Sequence, residues 1–271
     1  MEYATLKVKQ LTPHVGGEVS GIDLTKPLSN QQFDDIHNAL IDHGVIFFRD
    51  QPISVDQLAA LGSHFGKLHK HSGGQMRADN PGVRTIQADQ NSKHVAGEDW
   101  HTDSTCDPIP PMGSILHIHT LPPVGGDTIW TSTYAAYDAL SDRMKAYLQG
   151  LTATHDGRMA FGRFDPDKTY PKSVHPVITK HPVTGKKVIF VNKSFTAHIN
   201  ELAPDESDAV LRFLYGHIMQ PLWAVRFTWR KDSIAFWDNR CTQHYAVWDY
   251  YPQLRIGNRV QIEADRPPIA A

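Results

Sequence analysis

The sequence predicts a mainly β fold with peripheral helices, of sandwich or jelly-roll type. Two observations carry this reading. Beyond residue 99 most patterned segments are short and strand-like, with only two helical patterns among them. Gly- and Pro-rich turn signals, such as Pro122-Pro123-Val124-Gly125-Gly126 and His181-Pro182-Val183-Thr184-Gly185, separate several of these segments. The absence of GxGxxG and GxxxxGK(S/T) motifs removes the support a doubly wound nucleotide-binding sheet would need.

Each element has its own warrant. Ser29-Asn30-Gln31-Gln32 has capping-box form, and Phe33, Ile36 and Leu40 follow at helical spacing up to Gly44. Val45-Ile46-Phe47-Phe48 is an apolar run suited to a buried strand. Ser54 and Gln57 repeat the capping pattern before the stripe Leu58, Leu61 and Phe65, which Gly66 ends. Residues 72–98 are polar and read as surface loops around one strand near Val83–Ala88. Strands are then expected at Ser114–His119, Thr128–Thr131, Lys187–Val191, Val225–Trp229, Ser233–Trp237 and Arg255–Glu263, with helices over Ser132–Gln149 and Asp205–Ile218.

Composition bounds the function. The 271 residues carry 27 basic and 29 acidic side chains, a formal charge of −2, which excludes a polyelectrolyte binder of nucleic acid. No run approaches the ~20 apolar residues of a membrane span, and MEYATLKVKQ has no signal-type apolar region. The two cysteines, Cys106 and Cys241, form no CxxC pair; they read as small buried hydrophobes, and a reducing cytoplasm is expected. Sixteen histidines, by contrast, invite a metal reading.

Asp99-Trp100-His101-Thr102-Asp103 gives that reading a place. On a strand, His101 and Asp103 project to the same side and supply an imidazole and a carboxylate suited to Fe(II), Mn(II) or Zn(II). His244 would complete two histidines and one carboxylate, the set that leaves open positions in non-haem Fe(II) oxygenases. Arg255 and Arg259, four apart on an expected strand, would face one side and meet small anions. His64, His69, His94, His117 and His119 read as surface or strand residues, and Trp223, Trp229 and Trp248 as core or interface residues.

Taken together, Trp100-His101-Thr102-Asp103, Gly125-Gly126-Asp127-Thr128, Trp237-Asp238-Asn239 with Thr242-Gln243-His244, and Arg255 with Arg259 resemble the Fe(II)/2-oxoglutarate dioxygenases of the taurine dioxygenase (TauD/TfdA) family. The likeness runs from about residue 6 to residue 267 and includes Gly21-Ile22-Asp23-Leu24, Phe65-Gly66 and His175-Pro176-Val177. It implies one dioxygenase domain over residues 1–271, built as a double-stranded β-helix (jelly roll). It further implies Fe(II) on His101, Asp103 and His244, with 2-oxoglutarate and O2 as cosubstrates. Thr128 and Arg255 match the residues that hold 2-oxoglutarate, and His71, Phe161, Phe195 and Arg259 those around the substrate; Trp237 would lie close to the metal.

Two positions depart from the taurine enzyme. Gly74 stands for a pocket tyrosine and Gly97 for an asparagine, and the segment Arg158–Ser173 is shortened. The loss of a phenol and an amide removes hydrogen bonds to a small zwitterion and adds volume. The expected substrate is therefore a small anion larger than taurine, an organosulfonate or alkyl sulfate ester, with an aryloxyalkanoate or other carboxylate as the alternative. A non-catalytic jelly-roll metal-binding protein is the reading from another class, and the intact Thr128 and Arg255 oppose it. The resemblance also implies a homo-oligomer, dimer or tetramer.

Overall fold

In the computed structural model, which describes residues 3–70 and 76–271, two short strands precede the segments marked by hydrophobic pattern. These are β1 (Lys7–Gln10) and β2 (Gly17–Ser20). They are followed by α1 (Asn30–His43), β3 (Val45–Phe48), α2 (Val55–Phe65) and β4 (Arg84–Ala88). Next come β5 (Gly113–Thr120), β6 (Thr128–Ser132), α3 (Thr133–Asp138), α4 (Asp142–Leu148), β7 (Thr152–Asp156) and α5 (Gly157–Phe161). The chain continues through β8 (Lys172–Pro176), β9 (Ile178–Lys180), β10 (Lys187–Ile189), β11 (Thr196–Ile199) and α6 (Pro204–Ile218). It closes with β12 (Ala224–Phe227), β13 (Ser233–Asp238), β14 (Thr242–Ala246), β15 (Arg255–Ile262) and β16 (Ile269–Ala270).

The fold is the expected jelly roll. A seven-stranded sheet in the order β1-β2-β3-β13-β5-β15-β4 packs on a three-stranded sheet, β12-β6-β14. Alternation along the strands shows why the apolar runs are continuous. Val45, Phe47, Ala235 and Trp237 enter a core shared with Trp130, Val225 and Phe227 of the smaller sheet. Their neighbours Ile46, Phe48, Ile234 and Phe236 point the other way and pack with Ile36 and Leu40 of α1 and Leu58 and Leu61 of α2. A strand covered on both faces has no polar side to show. Truncating Phe47 or Trp237, each 1% exposed or less, would cost about 3–5 kcal/mol in lost burial and cavity formation.

The first two helices form as their caps dictate. Ser29 accepts from Gln32 N and Ser54 from Gln57 N, and each glutamine side chain returns the bond to its cap backbone. Gly44 ends α1 at φ 69°, donating to Leu40 O at 2.8 Å. The single helix expected over Ser132–Gln149 is corrected to two. Ser132 caps α3 and Ser141 caps α4, so the backbone resets between them. Strands β7, β8 and β11, absent from the sequence reading, form a separate sheet in the order β11-β7-β8.

Candidate active site

His101 does not lie in a strand, contrary to the sequence expectation. It forms an isolated antiparallel bridge with His244 of β14, with backbone bonds of 3.0 and 2.8 Å. Asp103 belongs to the turn that follows, where Asp107 N donates to Ser104 O at 2.9 Å. Asn239, just past β13, holds this turn. Its side chain accepts from Asp103 N at 2.8 Å and donates to the Asp103 and Pro111 carbonyls at 2.9 and 3.0 Å. Strand alternation is thus replaced by a clamped turn, with the same outcome: ligand atoms of His101, Asp103 and His244 lie within 4.8 Å of one another, all buried.

The chemistry of this donor set suits a divalent metal. His101 Nδ1 is 2.8 Å from the Asp99 carbonyl, which can only accept, so that nitrogen carries the proton and Nε2 keeps its lone pair. Nε2 faces Asp103 Oδ1 at 3.5 Å. Burial pushes the Asp103 carboxyl up, but Arg259, His101 and His244 together hold it well below the usual carboxylate range. Burial, reinforced by His101, keeps His244 neutral by driving its pKa well below the ordinary value. An ionised carboxylate beside a neutral imidazole is what a metal requires of its ligands.

A second cluster, His181, Asp238 and Cys241, is also buried, but its imidazole and carboxylate acceptors are already taken up within the protein. His181 Nδ1 accepts from Val183 N and Thr184 N, both at 3.2 Å, so Nε2–H donates to Asp238 Oδ2 at 3.0 Å. Arg240 occupies the same carboxylate through two bonds of 2.9 and 2.7 Å, and burial pushes the Cys241 thiol well up. This network braces the β13–β14 connection that presents Asn239 and His244.

Two lined spaces meet at His101, Gly97 and Arg259. The first contains Thr128, Trp130, Trp237 and Arg255. Arg255 Nε donates to Gly126 O at 3.1 Å, its guanidinium lies 5.5 Å from the Trp229 ring centre, and Nη2 is buried without a hydrogen-bond partner. Trp229 Nε1 donates to Thr128 Oγ1 at 3.0 Å, which leaves the threonine O–H to donate elsewhere. Gly126 at φ 77° permits the close approach; a Cβ there would sit 3.1 Å from Arg255 Cδ. A buried guanidinium with an unused N–H and a hydroxyl with a spare proton make a carboxylate site.

The second space is walled by Phe161 and Phe195, edge to face at 5.2 Å, with buried Cys106 packed behind them as the sequence reading expects. Arg84, Arg163 and Phe164 complete its rim. Arg163 is paired with Glu98. Desolvation, reinforced by charge repulsion from Arg259, lowers Arg84 to about 10. Gly97, at φ 85°, approaches the metal side so closely that a Cβ would lie 3.0 Å from His101 Cε1. Its exposure to both spaces fits the expected gain of volume, but the close approach shows that any side chain there presses on a candidate ligand. His71 and Gly74 lie outside the described residues.

The family model for taurine catabolism dioxygenase TauD, TfdA family matches residues 7–261. The chain belongs to this TauD/TfdA family. An alkylsulfatase of Acinetobacter baylyi is 32% identical over 96% of this chain and 86% of its own length. An alpha-ketoglutarate-dependent sulfonate dioxygenase of Saccharomyces cerevisiae is 32% identical over 97% of this chain and 68% of its own. The crystal structure of a taurine dioxygenase from Burkholderia xenovorans superposes with a TM-score of 0.86, at 34% identity, covering 99% of this chain and 97% of that one. The protein is accordingly an Fe(II)/2-oxoglutarate-dependent dioxygenase with O2 as cosubstrate, and its TauD/TfdA site accepts small anionic substrates.

Sequence reasoning missed four contributors to this TauD/TfdA site. Trp130 stacks on His244 at 6.2 Å, and Trp229, read as core, supports both Arg255 and Thr128. Ser114 Oγ donates to Asp103 Oδ2 at 2.7 Å. Arg84 reaches the site through the pairing of β4 with β15, a register that no local pattern announces.

Proposed function

We propose that the protein hydroxylates a carbon of an organosulfonate or alkyl sulfate ester larger than taurine. The observation that carries this reading is the arrangement of two arginines. Arg255 serves the first space beside Thr128, and Arg259 stands between both spaces next to the aromatic walls. Two separate anions, cosubstrate and substrate, can thus be held in adjoining spaces that meet at His101.

In this reading His101, Asp103 and His244 hold Fe(II), while Arg255 and the Thr128 hydroxyl fix the distal carboxylate of 2-oxoglutarate. Bound iron, with 2-oxoglutarate and O2, supplies the oxidising chemistry that yields succinate, CO2 and the hydroxylated substrate. Arg259 orients the substrate's anionic end, and His71 is assigned to the same task. Phe161 and Phe195 shape the apolar wall that aims the reacting C–H and excludes water. Hydroxylation at the carbon that bears the sulfonate or sulfate gives a product that collapses to a carbonyl compound with release of sulfite or sulfate.

Residues 1–271 are assigned to one catalytic domain that assembles as a homodimer or tetramer in the cytoplasm; light scattering checks the assembly. No helix among the described residues is long and apolar enough to cross a membrane. The function is tested by a panel of alkanesulfonates, alkyl sulfates and aryloxyalkanoates scored for substrate-dependent succinate and for sulfite or sulfate. Turnover of the sulfur oxyanions above taurine is expected. Turnover confined to aryloxyalkanoates would replace the substrate assignment, and succinate formation with none of them would remove it.

A further inference from the structure

We infer that Arg84 is a second anion-holding residue of the substrate space, and that Arg84 and Arg259 together grip a single terminal –SO3 group. The inference rests on the proposed sulfonate or sulfate ester chemistry and adds the residue that selects it over a carboxylate.

Register comes first. Arg84 of β4 and Arg259 of β15 are direct partners on an antiparallel ladder, so their side chains leave the same face of the sheet. Both line the space walled by Phe161 and Phe195. Like charges directly opposite on a ladder repel, and an anion seated between the two at the cavity wall would relieve that repulsion.

Charge balance comes next. Arg163, the third arginine of this space, has Glu98 as its partner. The carboxylate facing Arg259 is Asp103, 3.1 Å from Nη1, and Asp103 belongs to the metal-ligand set. Once a metal claims that carboxylate, less of its charge remains to offset Arg259. Arg259 Nε is already buried without a hydrogen-bond partner.

Stereochemistry then decides between anions. One guanidinium fork engages both oxygens of a carboxylate edge-on. A sulfonate or sulfate monoester presents three terminal oxygens, enough for one fork and a second arginine. Arg259 alone would suffice for a carboxylate; the addition of Arg84 is matched to –SO3.

The test is isothermal titration of full-length protein loaded with Mn(II) and 2-oxoglutarate, in the absence of O2. The probes are n-hexyl sulfate, n-hexanesulfonate and heptanoate. Arg84→Gln is expected to weaken both sulfur oxyanions by about tenfold to hundredfold, the value of a charged hydrogen bond, and heptanoate by less than about threefold. Arg259→Gln should weaken all three. Arg84→Lys, which restores charge without the fork, should recover part of the loss. Equal loss on all three probes in Arg84→Gln would mean a general structural role and overturn the inference, as would no loss on any. If the wild-type protein binds heptanoate and neither sulfur oxyanion, the substrate reading itself fails, and the inference with it. The 2-oxoglutarate affinity of Arg84→Gln, expected to be unchanged, shows that the site is intact.

Discussion

Arg259 Nη1 stands 3.1 Å from Asp103 Oδ1, the same oxygen that faces His101 Nε2 at 3.5 Å. The other carboxylate oxygen accepts from Ser114 at 2.7 Å, and the Asp103 backbone is clamped by Asn239. Asp103 is therefore aimed before any metal arrives, and the restraint comes from three residues outside its own turn, Ser114, Asn239 and Arg259. Outer partners of this kind fix ligand orientation and charge.

Ser114→Ala isolates one of these restraints. The carboxylate keeps Arg259 but loses the donor that fixes its second oxygen. Mn(II) affinity is expected to fall about tenfold, the lower end of what outer-sphere changes produce. Titration followed by electron paramagnetic resonance measures it, and wild-type affinity would contradict the role given to Ser114.

The 2-oxoglutarate clamp gives a graded pair of variants. Arg255→Ala removes the charge partner of a buried carboxylate and should weaken 2-oxoglutarate binding by about 2–5 kcal/mol. Trp229→Phe keeps an aromatic face under Arg255 but deletes the N–H that engages Thr128. Its loss should be about 0.5–1.5 kcal/mol. Anaerobic titration of the Fe(II)–2-oxoglutarate absorption band reads both, and unaltered binding in Trp229→Phe would reduce that tryptophan to packing.

How much of this was legible beforehand depends on whether a signal is local. His101, Asp103 and His244 stand out by residue type, and the double capping boxes placed α1 and α2 correctly. The break between α3 and α4 was hidden because Ala136, Leu140, Met144 and Leu148 keep helical spacing across it and all join one core. Trp229 read as core because its composition says nothing of where the indole N–H goes. Arg84 and Ser114 gain their roles from strand register and from a turn 11 residues away from Ser114 in sequence, and neither is written in its neighbours.

Stability should fall on the acid side through histidines that fold neutral. His155 is fully buried against Thr105, and burial, aided by His175, lowers its pKa to about 3. His175 is shifted in the same direction by burial. The unfolded chain, with histidine near 6.5, binds more protons between those values, so stability rises with pH there. The His155 contribution is complete above pH 6.5 and is lost toward pH 3, at about 1.4 kcal/mol per pH unit. Urea unfolding at pH 7.5 and 5.0 should show this slope, and His155→Asn should flatten it; a level wild-type profile would refute the assignment.

Gly97 couples backbone conformation to the metal site, and two substitutions separate those effects. At φ 85° a non-glycine residue pays about 1–2 kcal/mol in backbone strain, less for asparagine. The Cβ at 3.0 Å from His101 Cε1 is a different matter, since alanine and asparagine share it. Gly97→Ala should therefore lose about 1–2 kcal/mol of stability and weaken Mn(II) binding, while Gly97→Asn should recover stability without recovering the metal. If metal affinity instead follows stability across the pair, the imidazole is insensitive to the contact and Gly97 serves only the turn. If both variants bind Mn(II) as the wild type does, His101 can shift aside at no cost, and the close packing at this corner imposes no limit on the substrate space.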